Sequence, residues 1–210
     1  MNREEVFAKA RQQAESEAPD DALETLAEIT SQEGVEYSLS EIQTINIVVC
    51  EKLTSCPFEE KKEACLLCLP ILEGIKCLKS AEWLELYTET VYETFSKLSR
   101  YAREEERSDA WYRLKAIFYE ITLAAKKVWK EKNAPAGLDI YVYYAKLLKS
   151  YLDVADEDAF KECENYAKEA KFLGKGILED EDYRDAKKAM ETINKLISEA
   201  KKEQELLSDD

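Results

Sequence analysis

The sequence predicts an all-α protein: about nine antiparallel helices stacked in order as helical hairpins, an α-α superhelix. Three observations lead there. Apolar residues recur with a period near 3.6 along most of the 210 residues. Only 5 Gly and 4 Pro punctuate the chain, too few for the hairpins of a β-fold or the phosphate loops of nucleotide folds. The single β-branched run, residues 45–49, lies between helix-compatible flanks and has no second strand to pair with, so it too reads as helix.

Taken in order, the first helix covers roughly residues 2–16, with Val6, Phe7, Ala10 and Ala14 on one face. Pro19, followed by Asp20 and Asp21, opens the second, which carries Ala22, Leu23, Leu26, Ala27 and Ile29 and stops at Gly34. Ser38 or Ser40 caps the third, with Ile42, Ile45, Val49 and Leu53. The fourth begins near Pro57, and Pro70 inside it predicts a kink or a split. Ser80 caps a long fifth helix, about 80–105. Ser108 and Asp109 cap the sixth, about 108–132, whose apolar face runs from Trp111 through Leu114, Phe118 and Ile121. The stretch 133–137 is the clearest loop. The seventh helix, about 138–153, is apolar nearly all round and so is expected to be covered on several sides. Asp156 caps the eighth, which ends near Gly174, and the ninth spans about 180–207. One array over 1–207 is expected, with 208–210 a short frayed acidic tail.

Composition narrows the chemistry. With no His, triads, Cys-His dyads and His-ligated zinc or haem are excluded, as are the Glu-x-x-His pairs of di-iron bundles. The net charge of −15 argues against nucleic acid and against an anionic membrane as main partner. No apolar run approaches the ~20 residues of a membrane span, and residues 1–5 carry no apolar signal core. Six Cys in 210 residues fit a reducing cytoplasm better than a disulfide scaffold. Charge is uneven. Residues 1–80 carry 16 acidic against 8 basic side chains, residues 81–136 carry 10 of each, and residues 137–210 carry 19 against 12. The neutral middle is also the most aromatic part, which points to a working surface within 81–151.

The second helix places Ala22, Leu26 and Ile29 where the second helix of a tetratricopeptide repeat has a small residue and then large apolar ones. Ala159, Cys163 and Tyr166 repeat the pattern, and Trp111 and Leu114 are spaced as in that repeat's first helix. The chain thus resembles tetratricopeptide-like helical-hairpin arrays. Its fifth and sixth helices are longer than such repeats have, and no strict period emerges. The resemblance implies a concave groove that holds a peptide or a helix of another protein. In helix count and acidity the chain also resembles the 14-3-3 layout, which implies phosphopeptide binding. That family's phosphate-binding Arg and Tyr motifs do not stand in register here.

Four groups of candidate residues follow. Cys50, Cys56, Cys65, Cys68 and Cys77 fall close together and include a CxxC, compatible with a metal or redox site. Cys65 and Cys68, however, sit mid-helix among leucines, which favours core packing and a raised thiol pKa. Arg100, Arg103 and Arg107 share one helical face within about 60°, and Arg113 and Lys115 extend the basic area. Tyr112, Tyr119 and Tyr143 fall off the apolar faces of their helices, where tyrosine serves interfaces. The acidic runs 156–158 and 179–182 lack the spacing and glycine of a calcium loop and lie at helix starts. The expected function is a non-enzymatic interaction scaffold without cofactor, which binds a basic or phosphorylated segment of another protein. Arg100, Arg103, Arg107, Tyr112, Arg113, Tyr119 and Tyr143 are its candidate contacts. The alternative is a ligand- or metal-dependent sensor or enzyme built on the Cys50–Cys77 cluster. A monomer is expected; the heptad-like spacing of Tyr183, Ala186, Met190, Ile193 and Ile197 in the ninth helix leaves a dimer open.

Overall fold

The structure, a computed structural model, describes residues 2–30, 36–75 and 80–208. Gly34, Cys77, Asp209 and Asp210, each invoked above, lie outside the described residues. Among the described residues the fold is all-α. The helices are α1 (Arg3–Glu15), α2 (Pro19–Thr30), α3 (Leu39–Ser55), α4 (Lys61–Gly74), α5 (Ala81–Tyr101), α6 (Glu104–Val128), α7 (Pro135–Ser150), α8 (Glu157–Leu173) and α9 (Asp180–Ser208). None is long and apolar enough to cross a membrane.

Several helices begin where a side chain satisfies the first free N–H groups. Ser38 accepts from the Glu41 N–H at 3.3 Å, and Glu41 accepts in return from the Ser38 N–H at 2.6 Å, a full capping box. Asn2 and Glu5 form a second such box at the start of α1. Ser80 caps α5 and Asp156 caps α8, the latter by accepting from Ala159 at 3.1 Å.

Three expectations need correction. Pro70 does not split α4, which runs unbroken from Lys61 to Gly74. The ring removes one donor, but Pro70 is exposed and leaves no buried carbonyl face to satisfy on that side. The sixth helix starts at Glu104 rather than Ser108, because three successive glutamates, 104–106, suit the positive end of the helix dipole. Ser108 lies one turn in, its hydroxyl bonded to the Glu104 carbonyl at 3.4 Å. The fifth helix accordingly ends at Tyr101, and the backbone is extended at Ala102.

The chain falls into two compact units, Met1–Arg103 and Glu104–Asp210. In the first, α1 packs on α2 and α3, α2 on α3 and α4, and α5 on α3 and α4. Each helix meets the next and the next but one, as antiparallel hairpins laid side by side do. Polar groups tie the layers. The Trp83 indole donates to the Tyr37 carbonyl at 2.8 Å, and the Tyr87 hydroxyl donates to the Leu72 carbonyl at 2.8 Å near the end of α4. Arg3 bridges α1 to α3, with Nε 2.6 Å from a Glu41 carboxylate oxygen and its plane over the Phe7 and Tyr37 rings.

In the second unit α7 is central, packed against α6, α8 and α9. Its all-round apolar surface is covered as its sequence demands: Tyr141, Leu147, Leu148 and the following Tyr151 are fully buried. Aromatic stacks fill the seams, with Phe118 and Tyr144 rings 4.4 Å apart and Tyr141 and Tyr166 rings 3.8 Å apart.

Gly74 marks the tightest approach in the first unit. A Cβ there would stand 2.2 Å from the Thr30 carbonyl oxygen, which is backbone and cannot rotate away. Alanine ordinarily stabilises a helix relative to glycine. Here the sign reverses: Gly74→Ala is expected to lower stability by about 1–3 kcal/mol in urea unfolding followed by circular dichroism.

Candidate functional site

The seven residues expected to form a partner site are divided between the two units. Arg100 is exposed on α5, and Arg103 is exposed in the segment after it; both belong to the first unit. Arg107, Tyr112, Arg113 and Tyr119 lie on α6 and Tyr143 on α7, in the second. The shared face expected of Arg100, Arg103 and Arg107 is lost because the helix stops at Tyr101 and a new one starts at Glu104.

Arg107 is committed inside its own unit. Its guanidinium takes the Asp153 carboxylate in two-pronged fashion, with Nε 2.8 Å from Oδ2, and a terminal nitrogen reaches the Ser150 carbonyl at 2.8 Å. The plane also lies over the Tyr151 ring, 5.3 Å from its centroid. The hydrogen bonds from Arg107 hold the Asp153 carboxyl below its ordinary value. This cluster fastens the end of α7 to the start of α6. Asp156 is a similar junction. Burial alone would raise its carboxyl, but bonds from Lys115, the Ala159 N–H and the Trp111 indole bring it below the usual range.

Tyr112 and Tyr119 are 75% and 62% exposed, seven residues apart on one face of α6. Tyr143 is half-buried on α7, with the Lys146 ammonium 5.2 Å from its ring centre. Arg113 pairs loosely with Asp109 at 4.0 Å.

Among the described residues, Cys56, Cys65, Cys68 and Cys163 are core. Cys65 and Cys68 are fully buried on the inner face of α4, and Cys163 is fully buried on α8. Burial pushes the Cys65 thiol up to about 12 and raises Cys68 and Cys163 further. Cys50, half-buried, is raised by burial and then by Glu93. Thiols held protonated at neutral pH are poor nucleophiles and poor metal ligands.

The first unit carries a concavity that sequence reasoning did not place. A groove of about 590 Å³ runs between α2 and α4. Leu23 and Ala27 from α2, with Ala64, Leu67 and Ile71 from α4, give it an apolar floor at helical spacing. Leu67 is 47% exposed. Asp20, Glu24, Glu60 and Glu63 form its rim, all exposed. Lys52 of α3, only 7% exposed, reaches Asp20 at 2.5 Å and neutralises one rim carboxylate. The local signal was present in Ala27: a small exposed residue beside the apolar stripe of α2 leaves room where a larger side chain would close the gap.

Two outcomes follow. In native protein, iodoacetamide is expected to modify Cys50 well before Cys65, Cys68 and Cys163, and peptide mass spectrometry reads the order. Arg107→Ala is expected to lose about 1 kcal/mol at pH 7, discounted for the partly exposed carboxylate. Because the Asp153 carboxyl is depressed in the folded state, the pair's contribution is complete above the unfolded value of about 3.9 and fades as pH falls below it. The stability gap between wild type and variant should therefore close on acidification through that window, measured by urea titration at successive pH values. Among known proteins, no family model matches this chain and no curated protein matches it significantly.

Proposed function

We propose that this chain is a non-enzymatic interaction module, and that the groove between α2 and α4 seats a short amphipathic helix of a partner protein bearing basic residues beside its apolar ones. The observation that carries this reading is the groove itself: a partly exposed apolar floor bounded by acidic side chains. An apolar helix face laid into such a floor is a recurrent mode of peptide recognition. The acidic rim selects for lysine or arginine at the flanks of that face. The floor is set by two packed helices, so little ordering accompanies binding. The pair between the buried Lys52 and the exposed Asp20 fastens the start of α2 to α3 and keeps one wall in place.

The test is titration of a fluorescent model helix of leucine and lysine, with a leucine–glutamate helix as control. The lysine helix is expected to bind and the glutamate helix not. Glu24→Lys with Glu63→Lys is expected to weaken binding about tenfold, and Leu67→Ser by a comparable factor. All three positions are exposed, so the fold should persist in both variants. Equal binding of the two helices, or variants that bind as wild type does, would remove the reading.

A further inference from the structure

The second unit carries a cleft of opposite polarity. It has a volume of about 790 Å³ and lies between the segment 130–132 that follows α6 and the last two turns of α8. Lys130, Lys132, Lys168 and Lys171 line it against Glu131 and Glu169. On a chain of net charge −15 this is a local inversion of sign.

Lysines near a helix C-terminus are favoured by the helix dipole, which accounts in part for Lys168 and Lys171. Lys130 and Lys132 come to the cleft from a second stretch of chain, the segment after α6. Of the four, Lys132 alone has an ion-pair partner among the described residues. Glu162 of α8 pairs with Lys126, Glu164 with Lys201 on α9, and Glu169 with Lys132. Each carboxylate of α8 that might have balanced the cleft is thus drawn elsewhere, apart from the one that takes Lys132. Among the described residues, Lys130, Lys168 and Lys171 have no ion-pair partner, and all three are exposed.

The cleft also has an apolar lip. Phe172, 92% exposed, and Leu173 line it at the end of α8, and Ile177, 86% exposed, lies in the turn that follows. Large exposed apolar side chains gathered in one short stretch mark interaction sites. The turn after α8 is ordered by a buried clamp. Asn133, 2% exposed, donates to the Gly174 carbonyl at 2.8 Å, and Gly174 and Gly176 turn the chain in the left-handed region at φ +60° and +53°. The same residue that follows the lysine segment therefore holds the apolar lip in place.

We propose that this cleft docks an acidic peptide segment of a partner protein that carries a bulky apolar anchor. The lysines take its carboxylates, and Phe172, Leu173 and Ile177 cover the anchor. A single small anion would leave the apolar lip unused. A bilayer presents a plane rather than a chain that enters a cleft, and an anionic one repels the remainder of this acidic protein. The proposal is independent of the groove between α2 and α4.

The experiment is fluorescence anisotropy with a short labelled peptide of glutamates flanking a central leucine-phenylalanine pair. Its counterpart has lysines for glutamates, and sedimentation with phosphatidylserine vesicles runs in parallel. The glutamate peptide is expected to bind, more weakly as salt is raised, and the lysine peptide and the vesicles not. Lys168→Glu with Lys171→Glu is expected to weaken binding about tenfold, and Phe172→Ser several-fold. Lys130→Glu, on the other wall, gives an independent loss. All four positions are exposed, and circular dichroism should match wild type. Leu67→Ser, in the other unit, should leave this binding unchanged. Equal binding of the two peptides, indifference to all these variants, or capture by vesicles without peptide binding would each overturn the proposal.

Discussion

An apolar stripe on a helix is stable only when another surface covers it, and in this chain that surface is always another helix. The constraint is most severe at α7. Its apolar residues run nearly all the way round, so one neighbour cannot bury it. The unit forms only if α6, α8 and α9 close on it from different sides. The stacked rings of Tyr144 on Phe118 and Tyr141 on Tyr166 are the form that closure takes. Flat rings fill wide gaps between helix axes where leucines would leave voids. The Arg107–Asp153 pair follows from it: once α7 is enclosed, the segment after it must be fastened to the start of α6, and charged groups at the edge of the core do so, while Lys115–Asp156 fastens α6 to the start of α8. In the first unit the stripes are narrower. Each helix there meets two to four neighbours, and part of the surface between α2 and α4 is left uncovered.

What was legible in the sequence was what is decided locally. Ser38, Ser80 and Asp156 announce helix starts because a cap needs only its own side chain and the next three residues. Cys65 and Cys68 announce core because leucines surround them on the same helix. Tyr112 and Tyr119 announce exposure because they lie off the stripe defined by Trp111, Leu114 and Phe118. The break at residues 102–103 was missed because no Gly or Pro marks it. Its signal is the run of glutamates that starts the following helix, a weaker cue than a breaker.

The concave sites were less legible, for a physical reason. A groove is a property of two helices and the distance between them, and one strip of sequence gives neither. The neutral, aromatic middle suggested a surface within residues 81–151, but many of the aromatics there are buried in the cores of the two units: Trp83, Tyr87 and Phe95 in the first, Trp111, Phe118, Tyr141 and Tyr144 in the second. Apolar side chains free for a partner are those that packing leaves over: Leu67 and Ala27 on the α2–α4 groove, Phe172 in the last turn of α8 and Ile177 beyond it. In hindsight Phe172 carried a signal, since it falls off the face of Phe160, Cys163, Tyr166 and Ala170 and no periodicity requires it.

Charge then decides what each leftover surface accepts. The chain holds 45 acidic against 30 basic side chains, so a lysine without a carboxylate goes against the average composition of its surroundings. Lys52 shows the usual outcome: its stem is buried and its ammonium reaches an exposed carboxylate, Asp20. Lys130, Lys168 and Lys171 show the exception, because the glutamates of α8 within reach are already taken by Lys126, Lys132 and Lys201. An apolar contact alone discriminates poorly between partner segments, since any large side chain gains by leaving water. A rim of one sign adds a penalty for the wrong segment, through like charges brought together at low dielectric. An acidic rim on the α2–α4 groove and a basic wall on the α8 cleft therefore exclude each other's occupants. A segment that suits one surface is rejected by the other on charge before shape is tested.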